Sequence, residues 1–264
     1  MHSVEKATKT KAQKKYLGAF FFRTAVLIYV LYIYFFHRSD LGFEGNFFRI
    51  GLLDGLLNKI LVACFWVMLM VEMIRRMIPS KNKDYSKFKD IGSSKQFSYM
   101  CLPAESYDKE RMRKALRKKD IGALKVLAVW FILGAVVLTL KLTKVFTKAE
   151  IILIWALCYF LDVFCIVFFC PLQSFLMKNR CCTTCRIFRW DHFLTYTVLA
   201  FIPNFYSITL FAVSLVELAM WEWARYKHPE RFWEGSNLNL SCKNCVDRTC
   251  IYKNEIKKKL PIIK

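Results

Sequence analysis

The sequence predicts an all-α fold, a polytopic integral membrane helix bundle with a cytoplasmic cysteine-rich metal-binding region, and three observations predict it. Apolar residues make up 56% of the 264 residues, above the roughly 45–50% of an average soluble domain. Charge is lopsided, with 41 Lys+Arg against 20 Asp+Glu and a net charge of +21, and the basic and apolar residues occupy separate blocks. Six of the 11 cysteines fall in two tight runs. This composition excludes an ordinary soluble enzyme, and it is too apolar for a disordered basic tail.

A membrane-crossing helix needs about 20 mostly apolar residues at about 1.5 Å each. Residues 1–16 form a basic arm with Lys6, Lys9, Lys11, Lys14 and Lys15. Leu17–Phe36 is the first apolar run, interrupted by Arg23; it is too long for a signal-peptide core and reads as a retained anchor. Leu56–Ile74 is the second, with Lys59 and Glu72 near its ends, and together they fill a segment over 17–74. Residues 75–122 form a basic loop, in which Tyr107–Lys119 reads as a short amphipathic helix against the inner leaflet. Ala123–Leu140 and Ile151–Leu172 are the third and fourth runs, within 123–172, and the fourth carries Asp162 close to its middle. Residues 173–190 hold the first cysteine run.

The region 191–224 is too long for one untilted crossing and too short for two. Proline removes an amide donor and breaks the helical ladder, so Pro203-Asn204 divides it into a short helix over Asp191–Ile202 and a full-length one over Phe205–Ala224. Lys and Arg in short loops stay on the cytoplasmic side. Fourteen of them between Arg75 and Gly122, and ten in the tail from Arg225, put both termini and both cysteine runs in the cytoplasm of a cell (inner) membrane. That count favours a re-entrant hairpin over 191–224; the alternative, a broken helix that crosses once, would put the tail, 225–264, outside.

Cys181-Cys182-Thr183-Thr184-Cys185 and Cys242-Lys243-Asn244-Cys245, followed by Cys250, carry the metal expectation. A turn lets both sulfurs of a Cys-x-x-Cys pair face one ion, and two pairs make a four-thiolate site for zinc or an iron–sulfur cluster. Cys181 and Cys250 exceed what closed zinc coordination requires, which favours a [4Fe–4S] cluster, one or two of them, with zinc the alternative. Disulfides require an oxidising compartment, against the orientation. Cys64, Cys101, Cys158, Cys165 and Cys170 read as packing residues.

Asp191-His192 begins the short helix and is a candidate quinone or proton site, or else a helix cap. It is not the core of a protein acyltransferase, because Phe193 and Leu194 stand where that chemistry needs His and Cys. Asp162 and Glu217 are charges within apolar runs, where ionisable groups are costly and mark function or a structural pair; Arg23 and Lys59 are the available partners. No dinucleotide, phosphate-loop, nucleophile-elbow or zinc-protease motif is present, and the four histidines offer no paired haem ligation. The leading expectation is therefore an iron–sulfur electron-transfer protein or subunit, serving a protein redox partner or quinone in the lipid bilayer. A zinc-stapled scaffold or sensor, and a small transporter using Asp162 and Glu217, are the alternatives. Net charge is accounted for by topology, so nucleic acid is not an expected partner.

Overall fold

The computed structural model describes residues 11–37, 56–78, 92–179 and 181–245. Its helices are α1 (Lys11–Phe36), α2 (Leu56–Met77), the short α3 (Ser93–Gln96), α4 (Lys109–Leu142), α5 (Lys148–Val167), α6 (Asp191–Thr197) and α7 (Phe205–Lys227). The described residues contain no strand, only a single bridge between Pro103 and Asn237. Among the described residues, four helices are long and apolar enough to cross a membrane: Gln13–Phe36, Lys109–Leu142, Lys148–Val167 and Phe205–Lys227.

Local chemistry sets the helix starts. Asp108 caps α4 by accepting from Glu110 N and Arg111 N at 2.8 and 3.1 Å. Thr147 and Glu150 form a reciprocal capping box on α5, satisfying amides that have no intrahelical acceptor. Asn204, directly after Pro203, caps α7 through Ser207 N at 2.9 Å. Asp191 is the first residue of α6 and caps nothing; Trp190 holds the cap position without a side-chain bond.

Several boundaries differ from the sequence reading: α1 begins at Lys11, inside the arm read over 1–16, α2 and α7 run on to Met77 and Lys227, and α4 and α5 differ most. The amphipathic segment and the third apolar run are one unbroken 34-residue helix, α4; nothing between Lys119 and Ala123 disfavours helix strongly except Gly122. That glycine is used for a close approach, since a Cβ there would lie 3.3 Å from the Met177 Cα. Helix α5 stops at Val167 rather than Leu172, ahead of Pro171, and a π-helical turn covers Leu172–Leu176.

Helices α1 and α5 pack antiparallel: Phe20 meets Phe168 with ring centroids 5.1 Å apart, and Tyr34 donates to Glu150 at 3.2 Å. Helix α2 runs parallel to α7, with Trp66 Nε1 donating to Thr209 at 3.0 Å. Helices α6 and α7 form a hairpin, in which Trp190 Nε1 donates to Glu222 at 2.8 Å and Phe193 faces Phe211. Both flanks of that hairpin reach one carboxylate of α4: Arg186 Nε and Arg225 Nη2 donate to Asp120 at 2.9 and 2.8 Å. Its tip points to the far end of α4, where Lys141 donates to the Phe201 carbonyl. The descending limb, Asp191–Phe201, is 11 residues or about 16 Å, half a bilayer core.

An apolar core lies between α1, α2, α5, α6 and α7, built around Val30, Leu69, Ile151, Trp155, Tyr159 and Leu199. A second lies at the basic end, where Met112 and Leu116 of α4 pack with Cys185, Trp190, Trp221 and Phe232. There a cap forms from segments far apart in sequence. Ala104 N donates to Ser236 O at 3.0 Å and Leu238 N to Leu102 O at 2.8 Å. Asn237, fully buried, donates to Arg231 O at 2.9 Å and Ser94 O at 3.3 Å, and accepts from Leu102 N at 3.3 Å.

Candidate functional site

Five helices bring their ionisable residues to one place. Arg23 of α1, 2% exposed, sits 4.1 Å over the Tyr159 ring, and it donates to Asp162 of α5, to Tyr159 O at 2.9 Å and to Glu72 of α2 at 2.8 Å. One turn along α2, Arg76 pairs with Asp191 at the start of α6 and lies 3.5 Å from Glu72. His192 Nδ1 lies 2.6 Å from Glu217 Oε2 of α7, and Arg189 Nη1 is 3.5 Å from the other Glu217 oxygen. Asp162 therefore takes Arg23 as its partner, one of the two expected. Glu217 does not pair with Arg23 or Lys59; it pairs with His192 and Arg189, because the hairpin turns it towards α6.

The imidazole has an acidic group on each side. Glu217, held by Arg189, accepts, so in the neutral ring Nδ1 carries the hydrogen and Nε2 is a bare acceptor. Nε2 lies 4.0 Å from Glu72 Oε1. It is buried without a hydrogen-bond partner, as are Asp191 Oδ1 and the Tyr196 hydroxyl. Buried polar atoms are almost always satisfied by protein or water, so these three mark a place that takes up water, a proton or an ion. Glu72 is the open end: its side chain is 32% exposed, against 2% for His192 and Glu217.

Charge decides which of these it is. Three guanidiniums (Arg23, Arg76, Arg189) oppose four carboxylates (Glu72, Asp162, Asp191, Glu217), so the cluster is −1 with neutral His192 and zero with one added proton. Asp191, His192 and Glu217 also present ligand atoms within 4.8 Å of one another, a donor set that would suit a divalent metal. A divalent ion would leave the cluster at +1, beside guanidiniums that already hold one oxygen of each carboxylate. A single positive charge fits better.

The cysteines gather less closely. Both Cys-x-x-Cys pairs do make turns, with Cys185 N donating to Cys182 O at 3.0 Å and Cys245 N to Cys242 O at 3.4 Å. Cys182 and Cys185 are 5% exposed; the Cys182 thiol donates to Gln173 Oε1 at 3.4 Å, and Gln173 N donates to Cys170 Sγ at 3.4 Å. Cys181 and Cys245 are half-buried and Cys242 is exposed. Among the described residues, no three cysteines bring their sulfurs within 4.8 Å of one another, and Cys250 lies outside the described residues. Burial pushes the Cys185 thiol up to about 12, which favours the protonated form over a thiolate.

Beside that turn lies a group the sequence did not single out. Lys95 is 1% exposed; its Nζ donates to Cys185 O at 2.8 Å and faces the Trp221 and Phe232 rings at 5.7 and 6.0 Å. Burial lowers its amine to about 7. Sequence reasoning also passed over Glu72, Arg76 and Arg189 as span-end or topology charges. The Glu72/Arg76 spacing of four on one helix face was the one available sign. No protein-family model matches the chain, and the searches of curated proteins and of solved structures returned no match.

Proposed function

We propose that the chain is a multi-pass membrane protein that carries protons through its helix bundle, with His192 as the relay between Glu217 and Glu72. The −1 ionic cluster around a buried imidazole, with an acidic group facing each ring nitrogen, is the observation that carries this reading. Ionisable groups at bilayer depth mark pathways by default, and histidine exchanges protons near neutral pH without large perturbation. Large apolar side chains cover the bundle's exterior, Phe21, Phe35, Leu124, Phe131 and Phe205 among them, each more than half exposed; a soluble monomer rarely shows so much. The basic end, with Asp120, Arg186, Arg225 and the exposed Trp223 and Tyr226, then lies at the cytoplasmic surface, where aromatic and basic residues concentrate. The hairpin keeps the tail on that side.

A proton entering at Glu72 passes to His192 Nε2, and the ring releases the Nδ1 proton to Glu217. Arg23, Arg76 and Arg189 hold the carboxylates in place and keep the cluster near neutrality at each stage. The test is proton influx into liposomes holding a pH-sensitive dye, driven by a potassium diffusion potential. Influx above that of protein-free liposomes is expected for the wild type, falling to background in His192→Asn and Asp162→Asn. Wild-type liposomes no more permeable than empty ones, or influx retained in His192→Asn, would overturn the reading. The iron–sulfur carrier expected from the cysteine runs, and its redox partner, draw no support from the cysteine geometry. Iron and acid-labile sulfide in anaerobically purified protein would be the result that revives it.

A further inference from the structure

Because α4 continues without a break from its basic turns into its apolar length, one face of it carries two chemistries in register. Arg113 and Arg117 stand at i and i+4, and the same stripe runs on through Ile121, Leu124, Ala128, Phe131 and Ile132 at helical spacing. All are exposed; Ile121 is 48%, Leu124 62%, Phe131 59% and Ile132 63% exposed. Lys118, also exposed, flanks the top of the stripe. The opposite face is the one packed on the cap and the hairpin, through Met112, Leu116, Ala123 and Val126.

We infer that this stripe is a seat for one anionic phospholipid of the cytoplasmic leaflet, its phosphate held by Arg113, Arg117 and Lys118 and an acyl chain lying along Ile121 to Phe131. Length supports that occupant: the ten steps from Ile121 to Phe131 rise about 15 Å, the depth of one leaflet in a core of about 30 Å. Charge supports it as well. Arg113, Arg117 and Lys118 lie within about 11 Å of the Asp120 level, inside or just above the headgroup layer, where anionic lipid attracts basic side chains. The segments that adjoin the basic end offer no acidic cover for the stripe, since residues 1–10, 79–91 and 246–264 each hold more Lys and Arg than Asp and Glu. A bidentate guanidinium suits a phosphate geometrically. The inference rests on α4 crossing the membrane, not on proton relay.

The test uses the full chain in nanodiscs of phosphatidylcholine with a minority of phosphatidylglycerol, with co-released lipid read by native mass spectrometry. Selective retention of one phosphatidylglycerol is expected, weakened roughly a hundredfold when three charges are removed in Arg113→Gln/Arg117→Gln/Lys118→Gln. The selectivity should persist in Lys144→Gln/Lys148→Gln, at the other end of the bundle. Raising salt should reduce it in the wild type, a readout that needs no variant. Equal retention of both lipids by the wild type, selectivity that survives the triple substitution, or a second chain in place of lipid would each overturn the inference.

Discussion

Around His192, side chains from residues 23, 72, 76, 162, 189, 191 and 217 meet within hydrogen-bonding or ion-pair distance. At the basic end, Cys182/Cys185 and Cys242/Cys245 keep the close spacing they have in sequence, yet no three described sulfurs converge. The two regions show opposite relations between sequence spacing and spatial grouping. A Cys-x-x-Cys turn is local and forms whatever the rest of the chain does. A cluster of guanidiniums and carboxylates in an apolar bundle forms because each isolated charge there is so costly that the helices pack to pair them.

If that is the right account of the cluster, removing one partner should cost far more than removing both. Arg23→Leu leaves Asp162 buried and uncompensated, and a loss of about 3–5 kcal/mol is expected, measured as thermal unfolding in detergent. Arg23→Leu/Asp162→Leu should recover most of it, since Glu72 retains Arg76. A single variant within about 1 kcal/mol of wild type would remove the contrast between the two regions.

A smaller effect tests the basic end. The Lys95 amine falls from its ordinary 10.5 to about 7 on folding, because burial disfavours the charged form. Between those values the unfolded chain binds the proton and the folded chain does not, so stability rises with pH across that window and is flat below about 7. The slope is at most about 1.4 kcal/mol per pH unit. Lys95→Met should abolish it, and denaturant unfolding at pH 7, 8 and 9 reads the difference. A slope unchanged in that variant would assign the pH dependence elsewhere.

The smallest effect is expected at the outer cysteines. Cys242 is exposed, and Cys242→Ser should shift stability by no more than about 0.5 kcal/mol, with metal content equal to wild type. Iron matched by sulfide in the wild type, lost in both Cys182→Ser and Cys245→Ser, would instead restore the two-pair ligand set and make the cysteine runs the functional region.

Where the chain turns was legible locally. Pro203-Asn204 announced a break, because a missing amide donor acts on its immediate neighbours; the cap that Asn204 provides for α7 is as local a signal, though the sequence reading did not name it. Thr147 and Glu150, not singled out from sequence, carry an equally local signature. The apolar runs gave helices of membrane-crossing length, although α4 took in the amphipathic segment that charge had set apart from the third run. Asp162 and Glu217 were recognisable as costly, and Arg23 as a partner for the first.

Partner choice was not legible. Glu217 pairs with His192 and Arg189 because the hairpin folds residue 192 back beside residue 217, and Arg76 reaches Asp191 across 115 positions of chain. Lys95 carries no sign of burial in its own polar surroundings; it is enclosed only once Cys185, Trp221 and Phe232 close over it. By itself the sequence determined where helices begin, which stretches are apolar and which end is basic, since these follow from each residue's neighbours. Tertiary structure alone decided which charges share a cluster, since that follows from how helices far apart in the chain come to lie side by side.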